Sequence, residues 1–320
     1  MAVRRGLIQV PSRVQAAAGL LLTAALALAA GGAVVLPGWL GPRAGGTPAG
    51  LERQAGEAED LWRRSVGTVA AARGVTPDEA LIGGEWTPLV TTLGEAEAKR
   101  VSVSPAWPRV LVREFHRAGL RTGDVVAASF SGSFPGINLA VMSAAEALGR
   151  RQLAASSVTA SSWGATDPGF TWPEIEARLV AAGVLRQVTV AVSAGGDGDR
   201  ALDLDDEGQS LARGIAARCA GQLRARLIVP VDFESAVRGR LDAYDEARAG
   251  RPIAAFVNVG GTEAALGRSP AILKVQNGWL GKTPFDSSPG RGLVARMVEQ
   301  GVPVLHILNV RGLAVRWGIL

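Results

Sequence analysis

Three observations predict an α/β fold in which a mostly parallel sheet carries helices on both faces. Short apolar runs of strand length alternate along the chain with longer amphipathic segments of helical period. The runs close on the same kind of small polar residue: Ser129, Ser131, Gly132 and Ser133; Ser161, Ser162 and Asp167; Ser193 and Asp197; Asn258 and Thr262. At 320 residues and 48% hydrophobic content the chain can bury a substantial core. Right-handed crossovers place all strand C-termini of such a sheet at one edge, so these polar endings converge there.

In chain order, Arg4, Arg5 and Arg13 make residues 1–15 a basic N-terminus, and an uncharged apolar run follows over 16–36. That run is long enough to span a bilayer, and the arginines predict a cytoplasmic N-terminus with all later residues outside. A cleaved signal peptide is the alternative, because Ala27, Leu28 and Ala29 offer cleavage-like spacing. Residues 37–50 are rich in glycine and proline and read as a linker to an extracytoplasmic domain over 51–320.

Leu51, Ala55, Ala58, Trp62 and Val69 set the apolar stripe of a helix over 51–73, with Glu59/Arg63 and Asp60/Arg64 as i,i+4 pairs. Thr76 to Glu79 form a capping box, so a short helix or turn begins there. Residues 85–100, EWTPLVTTLGEAEAKR, show no sustained period and read as a solvated loop. A helix over 110–118 leads into a buried strand over 125–130. After it come a Ser/Gly turn and a helix on which Ile137, Val141, Ala144, Ala145 and Leu148 share one face. Residues 153–162 predict the next strand, and Thr171 and Glu174 a second capping box. Strands at 188–193, 227–229, 253–259 and 304–308 follow. They alternate with helices begun near Asp206, carrying Phe233, Val237, Leu241 and Tyr244, and covering 293–298. The sum is a Rossmann-like sheet behind one N-terminal transmembrane helix.

Several function classes are excluded. Without its three N-terminal arginines the body is nearly neutral, and no clustered basic face points to nucleic acid. Cys219 is the only cysteine and His116 and His306 the only histidines, so neither a disulfide nor a zinc site is expected. Gly195, Gly196 and Gly198 lack dinucleotide spacing, and no glycine-rich loop ends in Gly-Lys-Ser/Thr, so no cofactor is expected.

What remains is the strand-end edge. A turn at 131–133 presents N–H groups and hydroxyls to an anion at a helix N-terminus, and the order at residues 129–134 is similar to the phosphate turn of sugar-isomerase-type domains. A purely structural tight turn is the competing reading, with Ser133 near the N-cap and Pro135 at the first helical position. Serine chemistry would need a base for Ser131 or Ser133; Lys99 is the candidate, since both histidines sit inside regular elements. Asp197 and Asp199 form a carboxylate pair that could do acid/base work or hold a hard cation, although a surface turn is the commoner use of such aspartates. The ligand-binding candidates are Ser129, Gly132, Asn138, Arg100, Ser162, Asp167, Asp197, Asn258, Gly260 and Gly261, with no metal ligands.

Taken together, ALIGGEWTPLVTTLGEAEAKR from Ala80, RTGDVVAASFSGSFPGINLAVMSAAEALG from Arg121 and ASSVTASSWGATDPGFTWPEIE from Ala155 resemble the poly-γ-glutamate system protein family, the W component of capsule synthesis. The AGGDGD turn at Ala194, AAFVNVGGTEAALG from Ala254 and GVPVLHILNVRGLAVRWG from Gly301 extend the resemblance over residues 60–318. It implies a membrane-anchored bacterial cell-surface protein that accompanies the ATP-dependent ligase and membrane components of poly-γ-glutamate synthase. No catalytic residue carries over from it. Two functions follow as expectations. One is an accessory protein that binds the anionic polymer or its synthase partners at the strand-end crevice. The other is a serine-dependent hydrolase or transferase acting on γ-glutamyl amides.

Overall fold

A computed structural model describes residues 47–280 and 290–320, all within one compact unit. The expected membrane segment 16–36 and most of the linker lie outside the described residues. Among those described, no helix is long and apolar enough to cross a membrane.

A seven-stranded sheet forms the centre. In chain order its strands are β2 (Val125–Phe130), β3 (Arg151–Ser157), β5 (Thr189–Ser193), β6 (Arg226–Ile228), β7 (Ile253–Val259), β8 (Gly278–Leu280) and β9 (Val304–Ile307). They are arranged β6-β5-β3-β2-β7-β9-β8, all parallel except the edge strand β8. The chain runs outward from β2 through β3, β5 and β6, then returns to lay β7 on the other side of β2. Strand order therefore reverses between β2 and β7, the place where open α/β sheets hold ligands.

The strand alternation divides the core. Val126, Ala128 and Phe130 face α1 (Pro48–Arg73), α3 (Ala106–Arg117) and α4 (Pro135–Ala147). Val125 and Ala127 face the side of α7 (Phe233–Arg248) and α9 (Leu293–Glu299), where Tyr244 and Leu293 are buried. A third cluster joins Val192 of β5 to Ile215 and Cys219 of α6 (Asp206–Gln222). Helices thus cover both faces, as the alternating pattern predicts. The Thr171–Glu174 box closes as expected at the start of α5 (Trp172–Ala181), with Thr171 Oγ1 donating to Glu174 at 2.7 Å. At Thr76 the Glu79 half of the box forms, with the Thr76 N–H and hydroxyl donating to its carboxylate, and a turn begins there.

Three readings are corrected and one element is added. The linker ends three residues early, because Thr47 caps α1 by accepting from the Gly50 N–H. The expected strand over 153–162 breaks at Val158 and Thr159 into β3 and a short β4 (Ala160–Ser161). The aperiodic segment 85–100 is not a loop: Val90–Thr92 forms β1, which pairs in parallel with β4, and Ala96–Ser102 forms α2. A last helix, α10 (Val310–Arg316), follows β9, capped by Asn309, whose Oδ1 accepts from the Gly312 N–H. Alternation could not reveal β1 or β4, since strands of two or three residues are too short to show a period.

Candidate functional site

The turn after β2 and the turn after β7 pack against each other at the switch point. Ser131 donates its backbone N–H to the Val259 carbonyl at 3.2 Å and its hydroxyl to the same oxygen at 3.4 Å, and its Oγ accepts from the Ser133 N–H at 3.2 Å. Gly260 has φ +86°, and a Cβ there would lie 2.0 Å from Ser131 Oγ. Glycine is therefore required for conformation and for space. Asn138 donates to the Ser131 carbonyl at 2.8 Å, and Ala165 donates to the Gly132 carbonyl at 2.7 Å. Ser131, Gly132 and Asn138 are buried and tie the two turns together. The donors seen here serve the turn itself, while Asn138 Oδ1 is buried without a partner among the described residues.

The rest of the expected ligand set is dispersed. Ser129, Asn258 and His306 stand in register across β2, β7 and β9, all buried. Asn258 Nδ2 bonds the Gly260 carbonyl at 2.9 Å and His306 Nδ1 at 3.1 Å. Burial lowers His306 to about 4, so its ring is neutral near pH 7. Ser162 is buried, its N–H on the Thr92 carbonyl at 2.9 Å. Asp167 pairs with Arg73 at 2.6 Å, and exposed Arg100 with Glu97 at 3.5 Å. Gly261 is exposed. The Asp197/Asp199 pair is split: Asp197 is exposed, whereas Asp199 is buried against Arg240 with Ser157 and Ser193 closing the network. Both Asp199 oxygens are thus engaged in the buried network, while Asp197 faces solvent. Among the described residues no group of three or more His, Cys, Asp or Glu side chains is placed to hold a metal.

Lys99 is the exception. The β1–β4 pairing and α2 deliver it beneath the β2–α4 turn. Gly136 lets the end of α2 approach, since a Cβ there would lie 2.4 Å from the Ser102 carbonyl oxygen. Lys99 is 2% exposed, and its Nζ lies 2.7 Å from Ser161 Oγ, on the Ser133 carbonyl, and 4.3 Å from the centre of the Phe134 ring. No carboxylate pairs with it among the described residues, and burial lowers it from 10.5 to about 7. Ser133 holds the other side of the pair, its Oγ accepting from the Ser161 N–H at 3.2 Å.

This pairing revises the expected nucleophile. Lys99 meets the hydroxyl of Ser161, which is partly exposed, while Ser131 is buried and hydrogen-bonded within the turn. A neutral lysine can donate to the Ser133 carbonyl and accept the Ser161 proton with its lone pair, which is the arrangement a serine–lysine base needs. The N–H groups of Ser161 and Ser162 are committed to Ser133 Oγ and the Thr92 carbonyl, so an oxyanion would need other donors. Composition bears on this pair, although by itself the scarcity of lysine reads as a compositional bias. Arginine serves for nearly every cation in the chain, and lysine occurs only at Lys99, Lys274 and Lys282. Arginine cannot give up its proton in a protein, so in this chain deprotonation chemistry of a long basic side chain falls to its three lysines.

No protein family, curated protein or solved structure matches this chain. Its geometry is therefore interpreted from its own residues.

Proposed function

We propose that this protein is a serine–lysine acyl-transfer enzyme of poly-γ-glutamate metabolism, tethered outside the cytoplasm, with Ser161 as nucleophile and Lys99 as base. The 2.7 Å approach of Lys99 Nζ to Ser161 Oγ carries the reading. The polymer and the tether enter through the family resemblance alone. Ser161 transfers its proton to Lys99 as its oxygen bonds to the γ-carbonyl carbon. The C–N bond of the amide then breaks, and Lys99 returns the proton to the departing amine. Water attacking the ester gives hydrolysis; a second chain's α-amine gives transfer.

A non-catalytic reading, in which the domain binds polymer or synthase partners, draws on the Lys99 bond to the Ser133 carbonyl. In that case the lysine is a clamp joining α2 to the β2–α4 turn. Incubation of the full-length protein with oligo-γ-glutamate separates the two. Catalysis changes chain length, and Ser161→Ala and Lys99→Met each abolish the change while Ser131→Ala retains it. Unchanged chains with no labelling of Ser161 by a serine-directed probe would refute catalysis.

A further inference from the structure

The N-terminal edge of the sheet, opposite the Lys99–Ser161 pair, holds a cavity of about 300 Å³ lined by Arg53, His116, Arg121 and Arg150. We propose that it binds a phosphate-class anion carrying a small organic remainder, independently of any catalysis at the other edge. Its walls come from the first turns of α1, the end of α3, and the turns that enter β2 and β3. Sequence neighbours do not assemble it: residues some seventy and one hundred positions apart converge only because β2 and β3 are adjacent and α1 packs over their entrances.

The charge of the cavity is unbalanced. No carboxylate lines it. Arg53 pairs with Glu57 at 2.5 Å, but the Arg121 side chain has no ion-pair partner among the described residues. The nearby Asp124 accepts the Arg121 backbone N–H at 2.6 Å. Arg150 is part-buried and donates to the carbonyls of Leu120 and Leu148 and to Thr122 Oγ1 at 3.4 Å, while its Nε is buried without a partner. Burial holds the Arg150 guanidinium below its ordinary proton affinity, with Asp124 acting in the opposite sense. With Arg53 paired to Glu57 and Arg150 only partly offset by Asp124, the Arg121 and Arg150 charges are the ones left to repel across the space, and a bound anion reduces that cost.

The shape of the donors selects the anion. Guanidinium forks match tetrahedral oxyanions, and a phosphate monoester offers more oxygens and more charge than a single carboxylate. The volume exceeds that of a bare phosphate, and Leu51, Leu120 and Leu148 supply an apolar wall while Gln54 and Thr122 supply hydrogen-bonding groups for an ester or hydroxyl. A soluble phosphate ester and a phospholipid headgroup share this chemistry.

The test uses the full-length chain in neutral detergent, titrated with inorganic phosphate, with glycerol 3-phosphate, and with micelles of phosphatidylglycerol or phosphatidylcholine. Calorimetry and thermal unfolding report binding. Glycerol 3-phosphate or phosphatidylglycerol should bind and raise Tm, and the double variant Arg53→Gln/Arg121→Gln should bind at least tenfold more weakly. Both arginines are exposed, so this variant keeps the fold; Arg150 is left intact because it holds two backbone carbonyls. Binding of the soluble ester supports a soluble ligand, and binding of phosphatidylglycerol alone supports a headgroup. Absence of binding to every probe overturns the proposal, as does equal affinity in the double variant. Stronger binding of citrate than of glycerol 3-phosphate overturns the phosphate assignment.

Discussion

At the C-terminal edge of the sheet, the Ser131 hydroxyl, Asn138 Nδ2 and the Ser162 hydroxyl donate to neighbouring backbone, and the orphaned Asn138 Oδ1 and Asn258 Oδ1 are sealed in the interior. At the N-terminal edge, Arg121 and the Nε of Arg150 face a cavity or its walls without a partner. The first edge is the one where doubly wound sheets bind ligands, and there the Lys99–Ser161 pair joins a buried lysine of lowered proton affinity to a hydroxyl partly open to solvent. The second edge has space and charge but no nucleophile paired with a base. Polar residues at a strand end thus have two uses, holding turns together or meeting a ligand. Which use applies depends on whether neighbouring backbone already satisfies them.

The sharpest way to break this contrast is Ser161→Ala. If the C-terminal edge is catalytic, turnover of oligo-γ-glutamate should fall at least ~10³-fold, as for loss of other serine nucleophiles. Ser131→Ala should leave turnover unchanged. The reverse pattern would return the chemistry to the turn after β2.

The buried network at the same edge tests the structural role of its other polar groups. Arg240→Leu leaves Asp199 without its guanidinium in the core and should cost about 3–5 kcal/mol in urea unfolding. Leucine at both positions should recover much of that loss. Gly260→Ala should cost about 3 kcal/mol through its positive φ and its collision with Ser131 Oγ. Removing the hydroxyl with Ser131→Gly should relieve the collision and leave the backbone strain. Additive losses in that double-mutant cycle would show that the two turns do not bear on each other.

The protonation of Lys99 gives a smaller, pH-resolved effect. Its affinity is about 7 when folded, against an ordinary 10.5, so between those values the unfolded chain binds a proton that the folded chain does not. Stability should therefore decline as pH falls from 10.5 towards 7, by at most about 1.4 kcal/mol per pH unit, and level off below 7. Lys99→Met should remove that slope. In the unsubstituted protein turnover should rise as pH passes upward through about 7, because the base must be neutral. A flat activity profile across pH 6–8 would separate Lys99 from the chemistry.

Much of the architecture was legible in sequence, and for particular reasons. Val125–Phe130 and Ile253–Val259 are long enough to show as apolar runs, and the Thr171–Glu174 box marks a helix start through local hydrogen bonds. The edge where Ser131, Ser161 and Asn258 gather followed from the handedness of crossovers. That Asn138 Nδ2 and Asn258 Nδ2 donate to the Ser131 and Gly260 carbonyls was not legible, because side-chain direction at an element's end depends on the turn packed beside it. Residues 85–100 misled for a related reason: β1 exists only by pairing with β4, about seventy residues later.

By itself, then, the sequence determined the parallel α/β layering, the polar strand endings and the presence of three lysines among many arginines, all of which rest on local periodicity and composition. Tertiary structure alone decided that Lys99 meets Ser161 and not Ser131, that Asp199 is buried apart from Asp197, and that Arg53, Arg121 and Arg150 share one cavity. Hydrogen bonds and burial act between atoms brought close by the fold. Their partners are chosen by strand order and by the close approaches that Gly136 and Gly260 permit, which leave no periodic trace along the chain.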